Sequence, residues 1–148
     1  MSLMIASSLI AISLLRAPVL EFKVSATPGK DGAVSGSLTV KIPAGWHAYQ
    51  NPPKSEFENP VVLSTATKKF KLSKVTYPKG EAKMSSGNES LVYEGTIKID
   101  FVGGFEKGFK PGKKGYEATL DLAYQLCDDS TCIPPTSTAV KLVWKPKK

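Results

Sequence analysis

Two cysteines, Cys127 and Cys132, are the residues of this chain best equipped for chemistry, and they are its only cysteines. An alternating apolar and polar run, Ala118-Thr119-Leu120-Asp121-Leu122-Ala123-Tyr124-Gln125-Leu126, reaches the first; four residues intervene, and Ile133-Pro134-Pro135 follows the second. Alternation reads as a strand, and the paired prolines forbid a helix beyond it, so the cysteines are expected on a tight loop at a strand end. If they sit on facing arms, their Cα atoms fall in the range of about 4.4 to 6.8 Å that a disulfide needs. Such a pair can close reversibly.

Spacing alone leaves two uses open. As a staple the pair is weak: in the chain-entropy model a loop of about six residues contributes roughly 2 kcal/mol, against about 4.7 for a loop of about a hundred. As a redox pair it carries no statement of its own potential. The spacing is neither C-x-x-C nor, without partner cysteines, a zinc site. His47 is the sole histidine, so no metal cluster and no cofactor is expected. Set among Trp46 and Tyr49, His47 reads as a surface or packing residue rather than a base. A hydrolase built on it would lack a nucleophile and an acid at recognisable spacing. Asp128 and Asp129 place negative charge beside both sulfurs, which opposes thiolate formation.

The motif Tyr124-Gln125-x-Cys127, four residues, Cys132-x-Pro134-Pro135 follows two shorter ones, Gly45-Trp46-His47-Ala48-Tyr49 and Tyr77-Pro78-x-Gly80-Glu81. In this order they resemble the N-terminal periplasmic domain of the DsbD-type thiol:disulfide interchange proteins, from about Pro18 to Trp144. The resemblance implies an immunoglobulin-like antiparallel β-sandwich that relays reducing equivalents. The donor would be a membrane-embedded or thioredoxin-like protein, the acceptors periplasmic thioredoxin-like proteins. It implies that Cys132 forms the mixed disulfides, that Cys127 resolves them, and that an aromatic at Tyr49 lies beside the sulfurs. A loop carrying an aromatic cap covers the cysteines in that family; here the matching stretch offers Met84 and serines. Tyr49, Tyr124, Ile133 and the Met84 loop are expected to rim the partner surface, with Asp128 and Asp129 beside it. The rival is a non-redox secreted β-sandwich interaction module with a structural disulfide.

A chain of 148 residues suits one domain, and 12 glycines with 11 prolines suit many short strands and turns, hence an all-β protein. The net charge of +7 comes from lysines dispersed along the sequence, without an arginine-rich run or a helix to enter a groove. That speaks for a solvated basic surface and against nucleic acid; its physical effect is faster encounter with acidic partners. Residues 18–145 are expected to form the domain, 146–148 a tail or linker start. Met1 to Leu15 is apolar but shorter than the roughly 20 residues that span a bilayer. Residues 1–17 read as a signal remnant, an expression leader or an extra N-terminal element.

Strands are expected over 19–25 and 35–42 as an opening antiparallel pair, then over 59–64, 69–77, 91–102, 116–126 and 136–144. The run 91–102 is the longest, with Gly95 as a bulge within it. Stretches 81–90 and 103–115 read as loops, the first without core residues. Phe70, Leu72, Val75, Val92, Ile97, Ile99, Phe101, Val140, Leu142 and Trp144 are core candidates, and Trp46 is expected to plug the core.

Overall fold

A computed structural model of the protein describes residues 17–85 and 87–148; Met1 to Leu15, with its leader-like composition, lies outside the described residues. Ten strands follow in order: β1 (Glu21–Pro28), β2 (Ala33–Lys41), β3 (Ala48–Tyr49), β4 (Val62–Thr65), β5 (Phe70–Thr76), β6 (Glu81–Ser85), β7 (Asn88–Tyr93), β8 (Thr96–Phe105), β9 (Tyr116–Tyr124) and β10 (Thr136–Trp144). They form an immunoglobulin-like antiparallel β-sandwich. One sheet runs β1-β2-β8-β5, the facing sheet β10-β9-β4, and a small third sheet β3-β7-β6 sits at one end.

Period-two alternation builds the two large sheets. Val34, Leu38 and Val40 of β2, with Ile99, Phe101 and Phe105 of β8, turn one way; Ala118, Leu120 and Leu122 of β9, with Val140 and Leu142 of β10, turn to meet them. The register locks the pattern: Leu38 pairs with Ile99 and Leu120 with Val140. A slip of one residue would turn every one of these side chains to solvent. Leu120 and Leu142 are buried in the centre, and truncating either to alanine would cost about 2 to 5 kcal/mol.

The sandwich has two unlike ends. At the start of β9, Tyr116 and Trp144 stack at 5.4 Å between ring centroids, Phe105 stacks on both, and Phe109 lies on Phe105 at 4.0 Å. Strand β9 then runs eight steps, about 27 Å at roughly 3.4 Å each, towards the opposite end and the cysteines.

Four expectations differ from the fold. The run 91–102 is two strands in different sheets, because Gly95 adopts a left-handed φ of 66° and turns the chain between β7 and β8. The stretch 81–90 is a hairpin, β6 pairing with β7 from Glu81 opposite Val92 to Ser85 opposite Asn88. It escapes an apolar pattern because main-chain bonds, not buried side chains, hold its outer half. Strand β8 also continues through Gly103 and Gly104 to the buried Phe105, where a loop was expected. Trp46 packs half-buried against the core rather than plugging it.

Candidate functional site

Beyond β9 the chain makes a second, narrow hairpin. Ile133 N–H donates to Leu126 O at 2.9 Å and Asp128 N–H donates to Thr131 O at 2.8 Å. Cys127 and Cys132 face each other between these two bonds. A non-hydrogen-bonded antiparallel pair is where opposing Cα atoms come closest, ideally about 4.5 Å. Here they are 4.0 Å apart and bridged by the disulfide, somewhat closer than spacing led one to expect. The loop tip is closed by Asp128, whose Oδ1 accepts from Ser130 N–H at 2.8 Å, Thr131 N–H at 2.7 Å and Ser130 Oγ at 3.3 Å. Those donors, the main-chain N–H of Ser130 foremost, hold the carboxyl below its usual range.

The segment after Trp46 supplies the wall. His47 and Cys127 form an antiparallel bridge, with His47 N–H donating to Cys127 O at 2.9 Å and Cys127 N–H to His47 O at 3.0 Å. Cys127 is therefore the middle strand of a three-chain ladder. Two residues on, Tyr49 sends its hydroxyl to within 3.8 Å of Cys127 Sγ. A sulfur in a disulfide carries no proton, so the phenol is the donor. Burial, with the Glu58 carboxylate adding to it, pushes the Tyr49 pKa up and keeps that proton in place. His47 is buried beside it, its ring 6.1 Å from that of Tyr49 and nearly perpendicular. Burial, and then the Lys83 ammonium, push its pKa down, so the imidazole is neutral at neutral pH.

The remaining motif is tied to the same wall. Gly80 N–H donates to the side-chain oxygen of buried Gln50 at 2.7 Å, and Tyr93 Oη donates to Pro78 O at 2.8 Å while accepting from Asn51 N–H at 3.2 Å. A Cβ at Gly80 would lie 2.7 Å from Val92 O, so only glycine lets β6 approach β7 here. The three motifs, far apart in sequence, thus meet at one end of the sandwich.

Between the cysteine hairpin and the β6–β7 hairpin lies an open cleft of about 740 Å³, lined by His47, Tyr49, Met84, Ser90, Val92 and the loop from Cys127 to Cys132. The two cysteines differ sharply in access: Cys127 is 2% exposed, while Cys132 is open to solvent. Lys83 spans the cleft, its Nζ 3.1 Å from Glu94 and 3.4 Å from Asp129. Both carboxylates raise its pKa, the hydrogen bond to Glu94 foremost. The negative charge expected to weigh on the sulfurs is in this way engaged elsewhere: Asp128 caps the loop and Asp129 faces Lys83.

Of the residues singled out in the sequence, Tyr49, Met84, Asp128 and Asp129 line the cleft with both cysteines. Met84 stands exposed on the hairpin, a rim rather than a cover over the sulfurs. Tyr124 and Ile133 do not line it. Tyr124 continues the inward face of β9 and Ile133 packs against the same core, so both support the loop from behind. Lys83 had no signal in the sequence, since one lysine among 20 basic residues is marked only by what the fold places opposite it. Groups of histidine, cysteine and carboxylate able to hold a metal are absent among the described residues.

A β-sandwich that presents a short-loop disulfide, one sulfur buried and one open, in a cleft at its end has the make-up of a thiol-disulfide interchange domain. The chain belongs to the family of the N-terminal domain of the thiol:disulfide interchange protein DsbD, which it matches over residues 13–143. Its fold is similar to the N-terminal periplasmic domain of ScsB from Proteus mirabilis, with a TM-score of 0.64 at 17% identity over 86% of this chain. This chain covers 47% of that one. No curated protein matches the sequence significantly.

Proposed function

We propose that the domain is an extracytoplasmic electron relay, taking reducing equivalents from a dithiol donor and passing them to thioredoxin-like partner proteins through Cys127 and Cys132. The observation that carries this reading is the unequal access of the two sulfurs. An incoming thiolate must approach one sulfur in line with the S–S bond, and only Cys132 faces solvent. The donor thiolate attacks Cys132 Sγ; a donor–Cys132 bond forms, the Cys127–Cys132 bond breaks, and the electron pair leaves on Cys127 Sγ. The Tyr49 hydroxyl is placed to donate to that departing thiolate. A second donor thiol then attacks its own sulfur in the mixed disulfide, leaving the donor oxidised and both cysteines reduced. Delivery runs the same steps in reverse, Cys132 attacking the acceptor disulfide and Cys127 resolving the intermediate.

Family membership supports exchange in general, and the periplasmic setting of the similar ScsB domain supports the compartment. No helix among the described residues is long and apolar enough to cross a membrane.

The test is trapping. A Cys127→Ser variant incubated with an oxidised thioredoxin-like protein should accumulate a mixed disulfide through Cys132, and Cys132→Ser should accumulate none. Trapping through Cys127 instead would reverse the roles of the two sulfurs, and a pair that stays oxidised against a dithiol poised near −270 mV, as in thioredoxin, would turn the assignment to a structural disulfide.

A further inference from the structure

The fold collects charge that the sequence spreads out. At the end opposite the cysteines, the Lys68-Lys69 turn, the β8–β9 loop with Lys107, Lys110, Lys113 and Lys114, and the lysines after Trp144 all converge, and all are exposed. The main chain fixes this convergence. Glu106 N–H donates to Lys69 O at 3.1 Å, joining the first turn to the loop, and β10 pairs Trp144 with Tyr116, bringing the tail to the same place. Gly112 and Gly115 exchange main-chain bonds at 3.2 and 3.1 Å, so Lys113 and Lys114 form the tip of a tight turn that points away from the sandwich. The carboxylates brought to this end are Glu106, Glu117 and, beside Gly32 where it meets Tyr116 and Phe105, Asp31, and no ion pair among the described residues engages these lysines.

One aromatic stands among them. Phe109 lies on Phe105 with its ring nearly parallel, and remains 36% exposed on its outer side. Between Phe109 and the lysine tip is a recess of about 410 Å³, lined by Phe109, Gly112, Lys113, Lys114, Gly115 and Glu117.

We propose that this end of the sandwich docks on an anionic lipid surface, the lysines facing phosphate headgroups and Phe109 seated among them. Lysine ammoniums on separate turns suit a diffuse plane of charge, where each gains from proximity without bidentate geometry. Nucleic acid would need a track along which charges follow a backbone, and an acidic protein would need an apolar centre to bury. Among the described residues at this end the lysines sit on separate turns, and the one exposed aromatic is the outer face of Phe109, too small to centre a protein interface. An aromatic ring with one face packed and one free fits the headgroup boundary, where such rings collect. Docked this way, β9 points from the lipid to the cysteine cleft and holds it about 27 Å or more away, open to other proteins. The inference stands apart from the cysteine chemistry.

Flotation with vesicles tests it. The chain should bind phosphatidylcholine vesicles containing phosphatidylglycerol, release them as salt rises, and ignore pure phosphatidylcholine. Reversing the tip, Lys113→Glu with Lys114→Glu, should weaken binding at least about 25-fold, at roughly five-fold for each lysine near the surface. Lys107→Glu with Lys110→Glu should do likewise, and Phe109→Ser should weaken binding at fixed charge. Reversing Lys23 and Lys41, which lie on β1 and β2 away from this end, should leave most of the binding intact. The proposal is overturned by no preference for anionic vesicles, by equal loss in the Lys23 and Lys41 variant, or by binding to heparin or duplex DNA without binding to vesicles. Each variant's melting temperature checks that a loss is not unfolding.

Discussion

His47 and Cys127 exchange both of their main-chain hydrogen bonds, at 2.9 and 3.0 Å, so the buried cysteine is held by backbone rather than by its sulfur. The disulfide adds a cross-link to a frame that already pairs. Its contribution to stability is therefore small, and its exposure on the Cys132 side is a matter of access rather than of strength.

Cys132→Ser should fold. A closed loop of about six residues contributes roughly 2 kcal/mol, and a domain of this size loses about 2 to 4 °C in melting temperature for each kcal/mol, so a fall of about 4 to 8 °C is expected in calorimetry. Failure to unfold cooperatively would make the disulfide a staple after all.

Tyr49→Phe removes the hydroxyl 3.8 Å from Cys127 Sγ and keeps the ring. The departing thiolate then loses a donor of about 1 kcal/mol, so reduction by dithiothreitol should slow about five-fold. Because burial raises the Tyr49 pKa, the wild-type rate should show no break from this group below about pH 10. Tyr49→Ala should slow a cognate protein partner more than a small thiol. An unchanged rate in Tyr49→Phe would leave the hydroxyl without a part in exchange.

His47 carries a pH dependence with a definite sign. Its folded pKa lies below the model-peptide value of 6.5, so the unfolded chain takes up a proton first. The stability that goes with neutral His47 is complete above pH 6.5 and is lost as pH falls through the folded value. His47→Gln should flatten the urea midpoint over that acidic interval, with little change at pH 8. A parallel slope in both proteins would refute burial as the cause.

Asp128 closes the tip through its bonds to Ser130 and Thr131, and those bonds hold its carboxyl below 3.8. The order it gives is present above that value and disappears as pH falls through the folded pKa. Asp128→Ala should abolish the hydrogen-exchange protection of the Ser130 and Thr131 amides at pH 6 and leave the β9 amides unchanged. Retained protection would mean the hairpin is ordered by its main chain alone.

The sandwich was legible because its strands bury one face: Leu38, Ile99, Leu120 and Val140 alternate with polar neighbours, and that pattern survives in the register. The cysteine loop was legible for its residue types. The β6–β7 hairpin was not, since Glu81 to Ser90 buries too little for alternation to mark it, and only Val92 and Tyr93 anchor the far strand. Gly95 was read as a bulge because a glycine within an apolar run looks the same whether the strand bends or changes sheet. Tyr124 was expected at the rim from its nearness to Cys127 in the chain, yet its parity on β9 turns it to the core. Lys83 meets Glu94 at the end of its own hairpin and acquires Asp129 only when the cysteine hairpin comes alongside.

The main-chain bonds on either side of the cysteine pair, Leu126 to Ile133 and Asp128 to Thr131, involve no sulfur. Splitting the disulfide leaves them in place, so two free thiols would stay opposite one another on a frame that has not moved. Re-forming the bond is then a local event between neighbours already in position, at a far higher effective concentration than any thiol in solution can offer. The folding work is done once, and each later cycle of opening and closing is spared it.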